Sequence, residues 1–312
     1  MDTHTKRVAV VQLAGNLFDT ASTLKDVENH CLEANAKSAQ LVVFPEASLG
    51  GYPQGITFGV AVGMRTPEGR DWFRRSWNGA IDVPGPETER LQELADALKL
   101  IIVIGVLERV GGTLSCSALT FLPLAGGASP AIHRKLMPTA AERLIWGFGD
   151  GSTMQPVQST IGRLGCAICW ENYMPAYRLY LYSQGVEIWC APTVDDREMW
   201  RASMRHIAYE GRCFVLSACQ FMTRADYPAD YNPLQGNDPD TVIIGGGSVI
   251  VSPAGEILAG PLTGRPGLLL ADLDLGEIAK GKFDLDVAGH YSRPDIFSLE
   301  VNTRAQTPVR II

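Results

Sequence analysis

The chain has 312 residues, 46% of them apolar and 20% charged, with a formal net charge of −7. That length suits one large α/β domain with a sizeable core, and the composition is that of an ordinary globular enzyme. The acidic balance and the absence of any Lys/Arg run argue against nucleic acid or an anionic membrane as partner, and no apolar run reaches the length of a bilayer span.

The opening MDTHTKRVAVVQLAG has a polar start and a short alternating apolar part. It reads as a first strand over 7–15 rather than a signal peptide. Residues 22–38 carry helical spacing, with Leu24, Val27, Cys31 and Ala34 on one side. LVVFPE (41–46) is a short apolar run stopped by Pro45, as a buried strand would be. After the start signal Pro84-Gly85-Pro86, ETERLQELADALKL is an amphipathic helix with Leu91, Leu94, Ala95 and Leu98 inward.

IIVIGVLERV is a strand, and further strands are expected at 113–122, 131–134, 160–161 and 166–169. A helix over 176–183 leads to the strand VEIWCAP. REMWRASMRHIAYEGR is a helix with Met199, Met204 and Ile207 as core. CFVLSACQ, GGSVIVSP, EILAGP and GLLLADLDL close the series as strands. Several of these runs are apolar at nearly every residue, which suits central strands covered on both faces. A β-α-β pattern in both halves points to an internally two-fold α/β architecture. No linker divides the chain, so 1–312 reads as one domain. Its part from 273 to 312 is an irregular C-terminal extension, in which GHYSRPDIF is an ordered loop.

The cysteines are Cys31, Cys116, Cys166, Cys169, Cys190, Cys213 and Cys219. Their odd number, the chain length and the missing signal favour free thiols in a reducing cytoplasm. Two of them stand in GRLGCAICWENYMP. A structural zinc site needs four ligands, and the histidines (His4, His30, His133, His206, His290) lack ligand spacing. A redox pair belongs at a helix N-terminus, whereas side chains three apart on a strand point to opposite faces. The third reading makes Cys169 a nucleophile, lifted clear of the sheet where the strand turns into a helix marked by Asn172 and Pro175. Against it stands plain burial, which is assigned to Cys166.

A thiol nucleophile needs a base or a nearby positive charge. His133, His206 and His290 are candidates, but packing and surface roles suit His133 and His206 as well. Glu46, at the carboxyl end of LVVFPE, is better placed, because open α/β sheets gather ligands there. Burial would raise its pKa toward that of a useful base. Lys135 ends another strand, and Glu142 in the same segment is placed to hold its ammonium.

Glu46 in VVFPEASLGGYP, Lys135 in HRKLMPTAAER and Cys169 in GCAICWEN, in that order, resemble the Glu-Lys-Cys set of the nitrilase superfamily of carbon–nitrogen hydrolases. The resemblance extends over nearly the whole chain, to GGGSVIVSPAGEILAGP and GHYSRPDIF. Cys-Trp-Glu, HRKLMPTAAERLIWGFGDGS and GHYSRPD look like the nitrilase branch, whereas amidase-type members more often carry Tyr-Asp after the cysteine. The resemblance implies a four-layer α-β-β-α sandwich and a homodimer or larger homo-oligomer, including spirals. It implies hydrolysis of a small-molecule nitrile by water, through a thioimidate and a thioester on Cys169, to a carboxylic acid and ammonia. Glu46 would move protons and Lys135 would stabilise charge, with Glu142 as the second family carboxylate and neither metal nor organic cofactor. Tyr52, Trp146, Trp170 and Thr193 adjoin these motifs as candidate substrate-binding residues. An amidase, carbamoyl hydrolase or cyanide hydrolase with the same triad is the alternative.

Overall fold

In a computed structural model, described for residues 5–123, 130–307 and 309, two β-sheets lie face to face between two layers of helices. The first half contributes β1 (Thr5–Gln12), α1 (Thr20–Ala36), β2 (Leu41–Val43), α2 (Pro67–Gly79), α3 (Pro86–Leu98), β3 (Ile101–Val110), β4 (Thr113–Phe121) and β5 (Ala131–Arg134). The second contributes β6 (Val157–Ser159), β7 (Gly162–Cys166), α4 (Pro175–Ser183), β8 (Ile188–Thr193), α5 (Glu198–Gly211), β9 (Phe214–Cys219), β10 (Phe221–Thr223), β11 (Val242–Val251), β12 (Ile257–Thr263), β13 (Gly267–Asp274) and α6 (Gly276–Asp284).

One sheet runs β13-β1-β2-β3-β4-β5 and the other β10-β11-β9-β8-β7-β6, with β12 on β11. Each has a parallel centre, β1·β2·β3 in one and β7·β8·β9 in the other, so the two-fold β-α-β pattern is a property of the sheets. The long antiparallel pair β1·β13 carries the chain's late strand back onto the first sheet.

The uninterrupted apolar runs follow from this layering. On β1, Val8 and Val10 face the other sheet with Leu216 and Cys190, while Ala9 and Val11 face α1 and α3 with Val27, Cys31 and Leu91. A third apolar layer places Trp189, Ala191 and Val215 against Leu181 of α4 and Met204 and Ile207 of α5. Both faces of each sheet's parallel centre are therefore dry, as near-continuous Val/Ile/Leu strands require, while β12 at the margin is largely exposed.

Several sequence expectations need correction. The apolar stretch after Gly162 leaves the sheet at Cys166, three residues short of Cys169, and residues 160–161 form the turn between β6 and β7. LVVFPE is a strand only as far as Val43. Met199 is 67% exposed and lies outside the core of α5. Helices α2 and α6 escape apolar periodicity because few of their residues are buried. Helix α2 starts instead on the Thr66 cap to Gly69 N–H with Pro67 next, and carries Asp71–Arg74 and Asp71–Arg75 pairs on its wet side. His4 lies outside the described residues. Among the described residues no helix is long and apolar enough to cross a membrane.

Candidate active site

Glu46, Lys135, Glu142 and Cys169 converge from four segments into one buried cluster. Glu46 lies just beyond β2, Lys135 directly after β5, Glu142 in a 3-10 turn (Ala140–Leu144), and Cys169 opens another (Cys169–Tyr173) beyond β7. All four are buried. Lys135 Nζ donates to Glu46 Oε1 at 2.6 Å and to Glu142 Oε2 at 2.8 Å, so the ammonium bridges both carboxylates rather than choosing one.

Close backbone approach sets these positions. Gly105 on β3 packs under the end of β2, where a Cβ would come within 2.5 Å of Glu46 Cα. Gly149 does the same beside Lys135, where a Cβ would lie 2.2 Å from the Arg134 carbonyl oxygen. Lys135 N–H donates to Cys116 O, and Gly149 N–H to Lys135 O, which holds the lysine backbone between β4 and the loop at Gly149. Gln220 Nε2 donates to Glu46 O at 2.7 Å, tying the residue to the second sheet.

Cys169 has φ +49°, and Ala47 and Ala140, next to Glu46 and two before Glu142, have φ +48° and +46°. Such left-handed non-glycine residues cost roughly 1–3 kcal/mol each and cluster where a turn must aim a side chain. The Cys169 turn is held from below. Asn172 Nδ2 donates to Ala167 O and Cys169 O at 2.9 and 2.8 Å, and Trp189 Nε1 fixes Asn172 by donating to its Oδ1. Above, Thr193 Oγ1 donates to Cys169 Sγ at 3.3 Å.

The electrostatics favour a thiol that stays protonated until it is attacked by a base. Burial pushes Cys169 up, and the Glu46 carboxylate pushes it further, against the pull of Lys135. Burial likewise raises Glu46 above the usual carboxylate range; Lys135 pulls it down and Glu142 pushes it up. Burial works against the Lys135 ammonium, yet Glu46 and its other acidic neighbours hold its pKa well above the ordinary lysine value. Glu142 is fully engaged, accepting from Lys135, Tyr52 OH (2.5 Å) and Thr139 N–H (2.6 Å). Glu46 is not. Its Oε1 takes Lys135 and the Cys116 thiol (3.5 Å), while Oε2 has no formed hydrogen bond, although the Cys169 thiol is close enough to lower the carboxyl's pKa. Of the two carboxylates, Glu46 has the free lone pairs.

Of the candidate substrate-binding residues, Tyr52 and Trp146 meet edge-on at 5.6 Å, and the Lys135 ammonium sits 5.9 Å from the Trp146 ring. Both line a cavity of about 240 Å³ with Phe58, Thr139 and Ile145. Thr193 touches the Cys169 thiol itself. Trp170 is 42% exposed, its indole donating to Asp195 Oδ2 with the Arg197 guanidinium over its ring, so it stands at the outer rim. The other candidate bases are elsewhere: His133 is bound to Glu171, His206 faces Glu210 on the surface of α5, and His290 meets Tyr291 edge-on in the C-terminal extension. Sequence reasoning missed Cys116 and Gln220. Their signal is three-dimensional, since each reaches Glu46 from a strand or strand end far along the chain.

The chain matches the carbon–nitrogen hydrolase family model over residues 7–283. It is 54% identical over 310 residues to a bifunctional nitrilase/nitrile hydratase, NIT4A, of Lupinus angustifolius, covering 98% of this chain and 88% of that protein. It is 51% identical over 305 residues to an aliphatic nitrilase of Sinorhizobium fredii, covering 97% of each. Among solved structures it resembles the C. elegans NitFhit protein with a TM-score of 0.73 at 20% identity, over 99% of this chain and 70% of that one. Saccharomyces cerevisiae Nit3 gives a TM-score of 0.68 at 20% identity, over 92% and 97%. These structural likenesses speak for the four-layer fold.

Proposed function

The chain belongs to the carbon–nitrogen hydrolase family, and we propose that it is a nitrilase, converting a small organic nitrile and water to a carboxylic acid and ammonia. The observation that carries the reading is the buried cluster in which Lys135 bridges Glu46 and Glu142 beside the Cys169 turn. The full-length similarity to nitrilases, plant and bacterial, selects the nitrile over the amide.

A nitrile carbon is a weak electrophile with no leaving group until it has been attacked, and a soft thiol suits it. Cys169 Sγ adds to the carbon as Glu46 takes the thiol proton, giving a thioimidate. Glu46 returns protons to nitrogen and activates water, so that ammonia leaves and a thioester remains. A second water, deprotonated by Glu46, frees the acid. Positioned proton transfer of this kind is worth about 10²–10⁴-fold. A free thiolate beside two carboxylates would be expensive in so dry a site, which is why deprotonation and attack belong to one step. Lys135 and the backbone N–H of Trp170 stabilise the charge that develops on nitrogen and then on oxygen. Tyr52, Trp146 and Thr193 shape the inner site and Trp170 its mouth.

The chemistry assigned to these side chains is complete without metal or organic cofactor. Seven unpaired thiols favour a reducing cytoplasm. Exposed Tyr291, Phe297 and Leu299 along the C-terminal extension favour a homodimer or larger homo-oligomer, spirals included. One carbon–nitrogen hydrolase domain spans the chain.

Ammonia release from aliphatic, aromatic and arylaliphatic nitriles and from the matching amides tests the reading. Nitriles are expected to be turned over and amides poorly; ammonia from amides alone overturns it in favour of an amidase. The pH profile adds a signed expectation. Glu46 must be ionised to act as base, so kcat/KM falls as pH drops through its raised pKa. Glu142→Gln removes a negative charge that raises Glu46. The acid limb is expected to move to lower pH in that variant, even as kcat drops through a less firmly held Lys135.

A further inference from the structure

Glu171 is buried two residues beyond the nucleophile, and its carboxylate touches both catalytic segments. Its Oε2 accepts the Ile168 N–H at 2.6 Å, immediately before Cys169. Its Oε1 accepts the Leu136 N–H at 2.6 Å, immediately after Lys135. Oε2 also meets His133 Nε2 at 2.9 Å, two residues before Lys135. One side chain therefore joins the residue preceding the nucleophile to residues on both sides of the ammonium.

The protonation of the pair follows from its partners. His133 Nδ1 faces the Thr153 carbonyl oxygen at 3.1 Å and Nε2 faces the Glu171 carboxylate. With the Thr153 carbonyl and the Glu171 carboxylate as acceptors both ring nitrogens donate, and against the pull of burial the carboxylate holds the His133 pKa above its ordinary value, which favours the imidazolium. Tyr177 stacks on the ring at 5.6 Å and donates to Cys166 O at 2.7 Å, so the same cluster also grips the end of β7.

We propose that Glu171 and His133 are positioning residues, an ion-paired brace that fixes the Cys169 turn against Lys135 so that nucleophile and charge-stabilising group meet the substrate in register. This rests on the nucleophilic reading of Cys169. The pair touches neither thiol nor ammonium; it acts through the backbone at 136 and 168. Glu171→Gln offers an NH₂ where one backbone N–H now finds an oxygen, and removes the imidazolium's counter-charge. His133→Gln removes the positive partner and leaves both N–H acceptors in place.

The test is steady-state kinetics on a turned-over nitrile, with the rate of Cys169 alkylation by iodoacetamide read by intact mass, for wild type, Glu171→Gln, His133→Gln and the double variant. Leu91→Ala in the α3 core, in an apolar cluster that contains neither segment, is the reference for lost stability alone. Misplacement of reacting groups by about 1 Å costs on the order of 10²-fold, so Glu171→Gln is expected to lose that much in kcat with KM nearly unchanged and alkylation altered. His133→Gln should lose less, and the double variant no more than Glu171→Gln, because the two act as one unit. Additive losses, or losses no larger than Leu91→Ala shows at equal loss of melting temperature, overturn the brace. If Glu171→Gln does not fold, His133→Gln with wild-type kcat and alkylation overturns it equally. Ammonia release that survives Cys169→Ala would instead overturn the nucleophile reading beneath it.

Discussion

Cys169→Ala is expected to abolish ammonia release from every nitrile the wild type accepts, by a factor on the order of 10⁶, the scale seen when a hydrolase nucleophile is removed. The fold should barely notice. Alanine has the same Cβ as cysteine, so the φ of +49° costs what it did before. The lost sulfur leaves a space about the size of a methyl group, worth roughly 1 kcal/mol. The Asn172 and Trp189 contacts that hold the turn end on backbone or on each other, and all survive. Circular dichroism should therefore show a melting curve close to wild type beside a dead enzyme. The variant also decides between two thiols. Cys116 lies against the same base, its Sγ 3.5 Å from Glu46 Oε1. Activity retained in Cys169→Ala but lost in Cys116→Ala would transfer the nucleophile to β4. Quenching the wild type during turnover should give an acyl adduct on the peptide carrying Cys169, and none in the variant.

The sequence made some of this readable and hid the rest for identifiable reasons. Strands β1, β3, β8 and β9 were legible because both their faces are dry, so nearly every residue had to be apolar. Helix α1 announced itself through Val27, Cys31 and Ala34 on one face, all buried. The end of β7 did not, because GCAICW is apolar whether it continues as strand or coils into a turn. Only the fold takes Ala167 and Ile168 out of the sheet and puts Cys169 at positive φ. Chain order, strand ends and the resemblance they carry singled out Glu46, Lys135 and Cys169, and the structure gathers them into one buried cluster. That Lys135 holds both carboxylates at once could not be found so, since it depends on a 3-10 turn after β5 that carries Glu142 back over the ammonium. Glu171 entered only as the last residue of the Cys-Trp-Glu motif, with no structural role assigned. Its backbone partners at 136 and 168 are 32 residues apart, and no local pattern links them.

Lys135→Met should damage stability and activity together, in contrast to Cys169→Ala. Methionine fills most of the lysine's volume, so the change is close to removal of the charge alone. Glu46 and Glu142 then face each other in a dry site without the ammonium that bridges them. Breaking a buried ion pair by deleting one partner typically costs about 3–5 kcal/mol. Part of that cost is avoided if one carboxyl takes up a proton, and this gives the variant a distinctive pH dependence. In the wild type, Lys135 pulls Glu46 down against burial and Glu142. Without it the folded-state pKa of Glu46 rises further above its unfolded value. A carboxyl raised in this way binds its proton more tightly in the folded state. Its contribution to stability is fully present at pH below the unfolded pKa and is lost as pH climbs through the folded one. The melting temperature of Lys135→Met is thus expected to fall between pH 5 and pH 8 more steeply than that of wild type, with the deficit between the two proteins smallest at the acid end. Thermal melts at several pH values, with ammonia release on the same samples, check both halves. A variant whose deficit is constant with pH would mean the two carboxylates never depended on the lysine for their charge, and the charge-bridged site would have to be given up. Loss of activity at the alkaline end, in samples still folded and with Glu46 ionised, would separate the lysine's part in catalysis from its part in holding Glu46 and Glu142 together. At the acid end a protonated Glu46 can take no thiol proton, so the missing ammonium shows itself only where Glu46 is ionised.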